Sequence, residues 1–134
     1  MTDAELKDLL AGSHTIAVVG ASPDPDRDSY RVARYLLDQG YRVVPVNPQA
    51  SAILGQTCYP SLTAIPFPID IVDIFRKPEA IPAIVAEAVA IGAKAVWMQL
   101  GLRQETAAAQ ARAAGLTVIM DHCLKIEHHR LFHS

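Results

Sequence analysis

Two cysteines stand in 134 residues, Cys58 and Cys123, far apart in the chain and in no CxxC arrangement. That excludes a disulfide framework, and a reducing cytoplasm is the expected compartment. Long apolar runs are absent too: none approaches the roughly 18–20 residues that a membrane-spanning helix requires. Neither sign of charge dominates, since 12 Lys and Arg face 14 Asp and Glu for a formal net charge of −2. Without a basic excess, neither nucleic acid nor an anionic membrane is an expected partner. The opening residues, MTDAELKDLL, are acidic and amphipathic and lack the basic start and long apolar core of a signal peptide. No Gly/Ser linker, low-complexity tract or internal repeat divides the chain, so residues 1–134 read as one domain.

Hydrophobic residues, by contrast, make up 51% of the chain, enough for a single packed core at this length. They fall in short runs that alternate with helical patterns. Residues 15–20 predict a first strand, and 29–39 a helix with Val32, Tyr35 and Leu36 on one face and Gly40 at its stop. A second strand, 42–46, closes on Asn47-Pro48. Pro45, Pro48, Pro60, Pro66 and Pro68 punctuate the next stretch, which reads as irregular apart from a short helix near 61–65. A third strand at 69–75 leads through Pro78 into a helix over 79–91, and a fourth strand spans 93–98. An alanine-rich helix at 103–114, Gly115 as its cap and a fifth strand at 116–120 follow. The polar tail, 121–134, reads as holding no more than a last helical turn. Apolar strands separated by helices predict an α/β fold, a Rossmann-like doubly wound parallel sheet of about five strands with helices on both faces. The simplest strand order is 3-2-1-4-5, with a ligand crevice where strands 1 and 4 diverge.

In such a sheet, the residues that follow each strand line the site. The run Thr-Ile-Ala-Val-Val ends in Gly20-Ala21-Ser22, a tight turn feeding a helix start near Ser29 and Tyr30. Backbone N–H groups left unpaired there sit at the positive end of a helix dipole and suit a phosphate. The same residues also suit a plain strand-to-helix turn with Asp28 or Ser29 as its cap. Arg27 either grips a terminal phosphate through its planar fork or pairs with the aspartates around it. The second strand ends in Val46-Asn47-Pro48, where a dinucleotide-binding domain usually carries an acid for the ribose diol. That missing acid favours a ligand with a phosphorylated ribose, a 3′-phosphoadenosine before NADP. Phe75, Arg76 and Lys77 follow the third strand, two cations at a helix entry where the dipole disfavours them unless an anion balances them. Gln99 and Gly101 follow the fourth, with an amide to offer and room for close backbone approach, while Trp97 reads as core.

Taken together, these edges resemble the small single-domain CoA-binding proteins of bacteria, Rossmann-like domains akin to the N-terminal CoA-binding domain of the succinyl-CoA synthetase α-subunit. The resemblance rests on VGAS (19–22), SYRV (29–32), GYRVVPVNP (40–48), VDIFR (72–76), VWMQLG (96–101) and MDHCLKIE (120–127), in order along the whole chain. It implies coenzyme A as the ligand, with Gly20, Ala21 and Ser22 at the pyrophosphate and Arg27 and the helix start at Ser29 facing the phosphates. It further implies Asn47 and Pro48 beside the adenosine, and Phe75, Arg76 and Lys77 around the nucleotide or the pantetheine arm. The ligase reaction does not come with the resemblance, because the synthetase carries its phosphorylated histidine in a second domain without a counterpart in these residues. The expected function is therefore a non-catalytic CoA or acyl-CoA binder, alone, with a protein partner or as a homo-oligomer. The alternatives are an NAD(P)-dependent enzyme or dinucleotide sensor, and an interaction domain with a vestigial crevice.

The tail gathers Asp121, His122, Cys123, Glu127, His128, His129 and His133, residue types that suit zinc, but their spacing fits no zinc motif and no metal is expected. Cys123 next to His122 has the composition of an activated thiol, yet adjacent residues seldom orient as nucleophile and base, so no catalytic residue is assigned. Either cysteine offers a thiol for a mixed disulfide with CoA under oxidation.

Overall fold

A computed structural model describes residues 1–133. The apolar run read as the first strand is β1 (Thr15–Val19), which pairs in parallel on one side with β2 (Arg42–Val46) and on the other with β5 (Ile71–Ile74). A short antiparallel hairpin, β3 (Ala52–Ile53) and β4 (Gln56–Thr57), lies between β2 and β5 in the chain. Beyond β5 come β6 (Ala95–Met98) and β7 (Thr117–Ile119), both parallel. The sheet order is β2-β1-β5-β6-β7. Counting only its five parallel strands, that is 2-1-3-4-5, not the expected 3-2-1-4-5. Both orders satisfy right-handed crossovers and the same alternation of strands and helices. What differs is the link from the second strand to the third. No α-helix lies in it; Leu62 and Ile65 of its single 3-10 turn region fill the cluster that holds Val44 and Val46. The chain thus returns past β1, and the point where the order reverses lies between β1 and β5.

Each strand alternates its side chains between two apolar layers. Ile16, Val18, Val43, Ile71 and Trp97 face α1 (Asp3–Ala11), α2 (Asp28–Asp38) and α5 (Leu124–His133). Ala17, Val19, Val44, Val72 and Val96 face α3 (Ile81–Ala90) and α4 (Glu105–Ala113). Trp97 is fully buried, as expected, and its indole N–H donates to the His122 carbonyl at 2.8 Å.

Three segments depart from the sequence reading. The stretch after β2, read as irregular, contains the β3–β4 hairpin, whose Leu54 and Gly55 both take positive φ (53° and 73°) as a type I′-like two-residue loop requires. Pro78 opens a separate 3-10 turn, Pro78–Ala80, and α3 proper begins at Ile81. The polar tail forms a ten-residue helix, α5. Leu124 and His128 are buried on its inner side, with Leu131 and Phe132 packed against the same core. His128 Nδ1 lies 2.7 Å from the Tyr35 hydroxyl, and Arg130 bridges to Asp3 of α1 at 2.8 Å and to Glu127 at 2.7 Å. No helix among the described residues is long and apolar enough to cross a membrane.

Candidate functional site

Reversal of strand order between β1 and β5 sets Gly20 directly beside Phe75 and Arg76. Gly20 has φ of +85°, and a Cβ there would lie 2.8 Å from the Phe75 carbonyl oxygen and 2.9 Å from Arg76 Cδ. The turn is anchored from β2: the Gly20 N–H donates to the Val46 carbonyl at 3.1 Å, and Asn47 Nδ2 donates to the Ala21 carbonyl at 2.9 Å. Asn47 Oδ1 meanwhile accepts from Gln49 N at 2.7 Å, so this side chain is spent on holding the loops together. Ala21 is itself buried. Ser22 Oγ accepts from Asp24 N at 3.1 Å and keeps its hydroxyl hydrogen for another acceptor.

Neither Asp28 nor Ser29 caps α2, contrary to expectation. The helix begins one residue earlier, with Arg27 at the N-cap in extended conformation and no side-chain cap bond. Asp28 instead pairs with Arg31 at 3.2 Å and borders two of the hollows described below. The first amides of α2 are thereby left without a side-chain acceptor. Arg27, Arg76 and Lys77 are exposed and enter none of the ion pairs among the described residues, so the reading of Arg27 as a partner of its aspartate neighbours does not hold.

Three hollows adjoin along this carboxyl edge. One of about 570 Å³ is bounded by Gly20, Ser22, Arg27, Ser29 and Phe75, with the carboxylates of Asp26 and Asp28 also on its lining. A second of about 580 Å³ shares Phe75 with it and continues past Arg76, Lys77 and Gln99. A third, about 260 Å³, runs from Gly20 and Arg76 over Val46, Pro48, Pro60 and Leu62. The end of β2 carries no carboxylate in this crevice. Gln99 is buried, and its Oε1 accepts from Leu124 N at 3.0 Å, which leaves its NH2 group as the donor it has to offer. Tyr30 borders a neighbouring hollow of about 340 Å³ on the outer side of α2. Gly101 borders none of the three; its N–H donates to Asp121 Oδ1 at 2.7 Å in the loop after β6.

The sequence reading missed what α5 brings. Cys123, Lys125 and Ile126 at its start wall the second hollow, together with Arg31, Leu100 and Leu102. The signal was present in the spacing of Leu124, His128, Leu131 and Phe132, four apolar or aromatic positions on one helical face. His122, beside Cys123, is engaged elsewhere, its Nδ1 lying 3.2 Å from Glu127 Oε1. Both cysteines are free thiols, and burial pushes the Cys58 thiol up. Among the described residues no three His, Cys, Asp or Glu side chains gather as a metal site. Also unforeseen is Asp73 in the middle of β5, fully buried, with both carboxyl oxygens unpartnered and its proton held to well above the usual carboxylate range by burial alone.

Known proteins supply the context for this crevice. Over 93% of its length and 93% of the relative's, the chain is 43% identical to the uncharacterized protein YneT of Bacillus subtilis. A solved structure of a hypothetical protein from Pyrococcus horikoshii superimposes with a TM-score of 0.95 at 43% identity, covering 98% of this chain and 92% of that one. The chain is also 33% identical over 107 residues to the ADP-forming acetate–CoA ligase II of Archaeoglobus fulgidus, spanning 78% of its own length but 16% of the ligase. The family described as CoA binding domain matches residues 14–129. On a match that takes in every strand of the sheet, the chain belongs to the CoA binding domain family.

Proposed function

We propose that this chain is a non-catalytic binder of coenzyme A, with the pyrophosphate held at the Gly20-Ala21-Ser22 turn. One observation carries the reading: a glycine cradle and an uncapped helix start open onto a crevice flanked by cations without ion-pair partners. Diphosphate oxygens would accept from the Ser22 hydroxyl and from the first amides of α2, at the positive end of its dipole. Arg27 and Arg76 would neutralise the remaining charge through fork-like hydrogen bonds. The hollow over Val46, Pro48 and Pro60, which Glu87 of α3 also borders, suits the adenosine, and the end of β2 itself carries no acid against a phosphate on its ribose. Pantetheine would run along Phe75 toward Gln99, whose NH2 donor matches an amide carbonyl. Asn47 acts in this scheme as a positioning residue, because its hydrogen bonds hold the turn and not the ligand.

Calorimetric titration with CoA, dephospho-CoA and NADP tests the proposal. CoA is expected to bind in the micromolar range, with dephospho-CoA weaker by about tenfold or more, the worth of a charge-assisted contact. Binding of NADP in preference to CoA would overturn it. Arg76→Ala is expected to weaken CoA by roughly 1–3 kcal/mol, since a hydrogen bond to a charged group is lost from an exposed residue with no other partner. An unchanged affinity in that variant takes Arg76 out of the site.

A further inference from the structure

The second hollow is not built like the first. Where the Ser22 hollow is polar, this one is lined by Val32, Phe75, Leu100, Leu102 and Ile126, with charged side chains of both signs, four cations and Asp28, around them. Leu100 and Ile126 are 64% and 58% exposed. They and Met1 are the large hydrophobic side chains left exposed among the described residues, and two of the three thus stand on one wall. Apolar side chains clustered and rimmed by charge mark a surface that something covers. Gln99 adds a second pointer, since its NH2 carries two hydrogens and the pantetheine carbonyl of the reading above takes one. It is buried, its oxygen is consumed by the Leu124 N–H, and its NH2 has no partner among the described residues although the side chain lines this hollow. An NH2 donor that faces a hollow and has no protein acceptor is available to a ligand carbonyl.

We infer that this wall receives the acyl group of a CoA thioester, with the acyl chain against Leu100, Leu102 and Ile126 and a carbonyl accepting from Gln99. The inference rests on the CoA reading above and extends it to a class of ligand. Continuity argues for an acyl chain as the occupant: the hollow shares Phe75 with the Ser22 turn and Arg76 with the Pro48 hollow, so a ligand anchored by its phosphates reaches this wall with its thiol end. Leu100 and Ile126 line the hollow and are exposed, so a chain of several carbons extends over them without displacing core residues.

The test is the dependence of affinity on chain length, measured by competition titration with CoA, acetyl-, butyryl-, hexanoyl- and octanoyl-CoA. Full burial of a methylene corresponds to about fourfold in affinity, and an open wall covering half of it to about twofold. Affinity is expected to climb by about two- to fourfold per methylene as far as hexanoyl-CoA. In the double variant Leu100→Ser with Ile126→Ser the climb is expected to flatten. Both residues are exposed, so thermal unfolding checks that the variant remains folded, and the ratio of acyl-CoA to CoA affinity is read within each protein. CoA binding with no dependence on chain length would sink this inference and leave the CoA reading intact. A climb that survives in the folded double variant would remove the wall from the account. No binding of CoA or any thioester would overturn the CoA reading itself.

Discussion

Gly20→Ala is expected to cost roughly 2–5 kcal/mol of stability and to abolish measurable CoA binding, the former summing about 1–2 for left-handed backbone and about 1–3 for overpacking. The backbone at Gly20 has φ of +85°, where a side chain is strained whatever room it has. Here there is no room. The new Cβ would lie 2.8 Å from the Phe75 carbonyl oxygen, which is backbone and cannot rotate away, and 2.9 Å from Arg76 Cδ. Relief requires the loops after β1 and β5 to separate, but the first is held to the end of β2 by the Gly20 bond to Val46 and the Asn47 bond to Ala21, and the second to β1 by the Phe75 N–H bond to the Val19 carbonyl. The same movement displaces Ser22 and Arg76, so stability and affinity fall together. Urea denaturation and CoA titration of the purified variant read both effects. A variant with wild-type midpoint and wild-type affinity would mean that the turn is neither strained nor a binding element. Gly40, Gly55, Gly92, Gly101 and Gly115 also have positive φ, but nothing lies within 4 Å of a Cβ built on them, so the steric part of the penalty is particular to Gly20.

The second large effect is expected to be a gain. Asp73 is wholly buried beside Val18 and Trp97 in the sheet register, and neither oxygen has a hydrogen-bond partner. Burial drives its carboxyl well above its ordinary value of 3.8, so the folded protein keeps a proton that the unfolded chain has released. Between those two values the native state binds more protons than the unfolded one, and stability therefore falls as the pH rises. Asp73→Val is expected to raise stability at pH 8 by about 1–3 kcal/mol, the cost of burying a polar group without a partner. Asp73→Asn, nearly isosteric, is expected to remove the loss of stability with rising pH that the acid imposes above its ordinary value of 3.8. His128 acts in the other direction: burial, with His133 and His129 nearby, lowers it, so its contribution is lost as the pH falls through its ordinary value of 6.5 and below. Asp70 likewise loses its contribution toward acid pH. Burial opposes its ionisation, but the N–H groups of His14 and Thr15 and the Lys94 ammonium outweigh that and hold it below 3.8. The difference between wild type and Asp73→Asn across pH isolates Asp73 from both. Identical pH profiles for the two proteins would show that this carboxyl finds a partner in solution.

Much of the candidate crevice was legible because its parts are local. A β-branched run closed by Gly-Ala-Ser, a missing acid at Asn47-Pro48 and paired cations after Phe75 are each read within a few residues, and all three bound the crevice. Asn47 was legible as a position but not as a role, because the Ala21 carbonyl it serves is 26 residues away. Arg31, Leu100 and Ile126 were not legible at all, since their membership depends on which helix ends arrive at the edge of β5 and β6. The helix start at Asp28 escaped for a different reason: good capping residues do not cap when the chain already turns in at Arg27.

By itself the sequence determined the five parallel strands, the helices α2, α3 and α4 between them and the Gly20 turn, because periodicity and backbone freedom act over a few residues. Tertiary structure alone decided the order of the strands, the docking of the tail as α5 and the isolation of Asp73. Each of these depends on which apolar face finds which other face across the molecule. The 2-1-3-4-5 order arises because the link after β2 packs Leu62 and Ile65 beneath α3 without forming an α-helix, which carries the third strand to the far side of β1. That single choice of side sets Arg76 against Gly20 and makes the crevice.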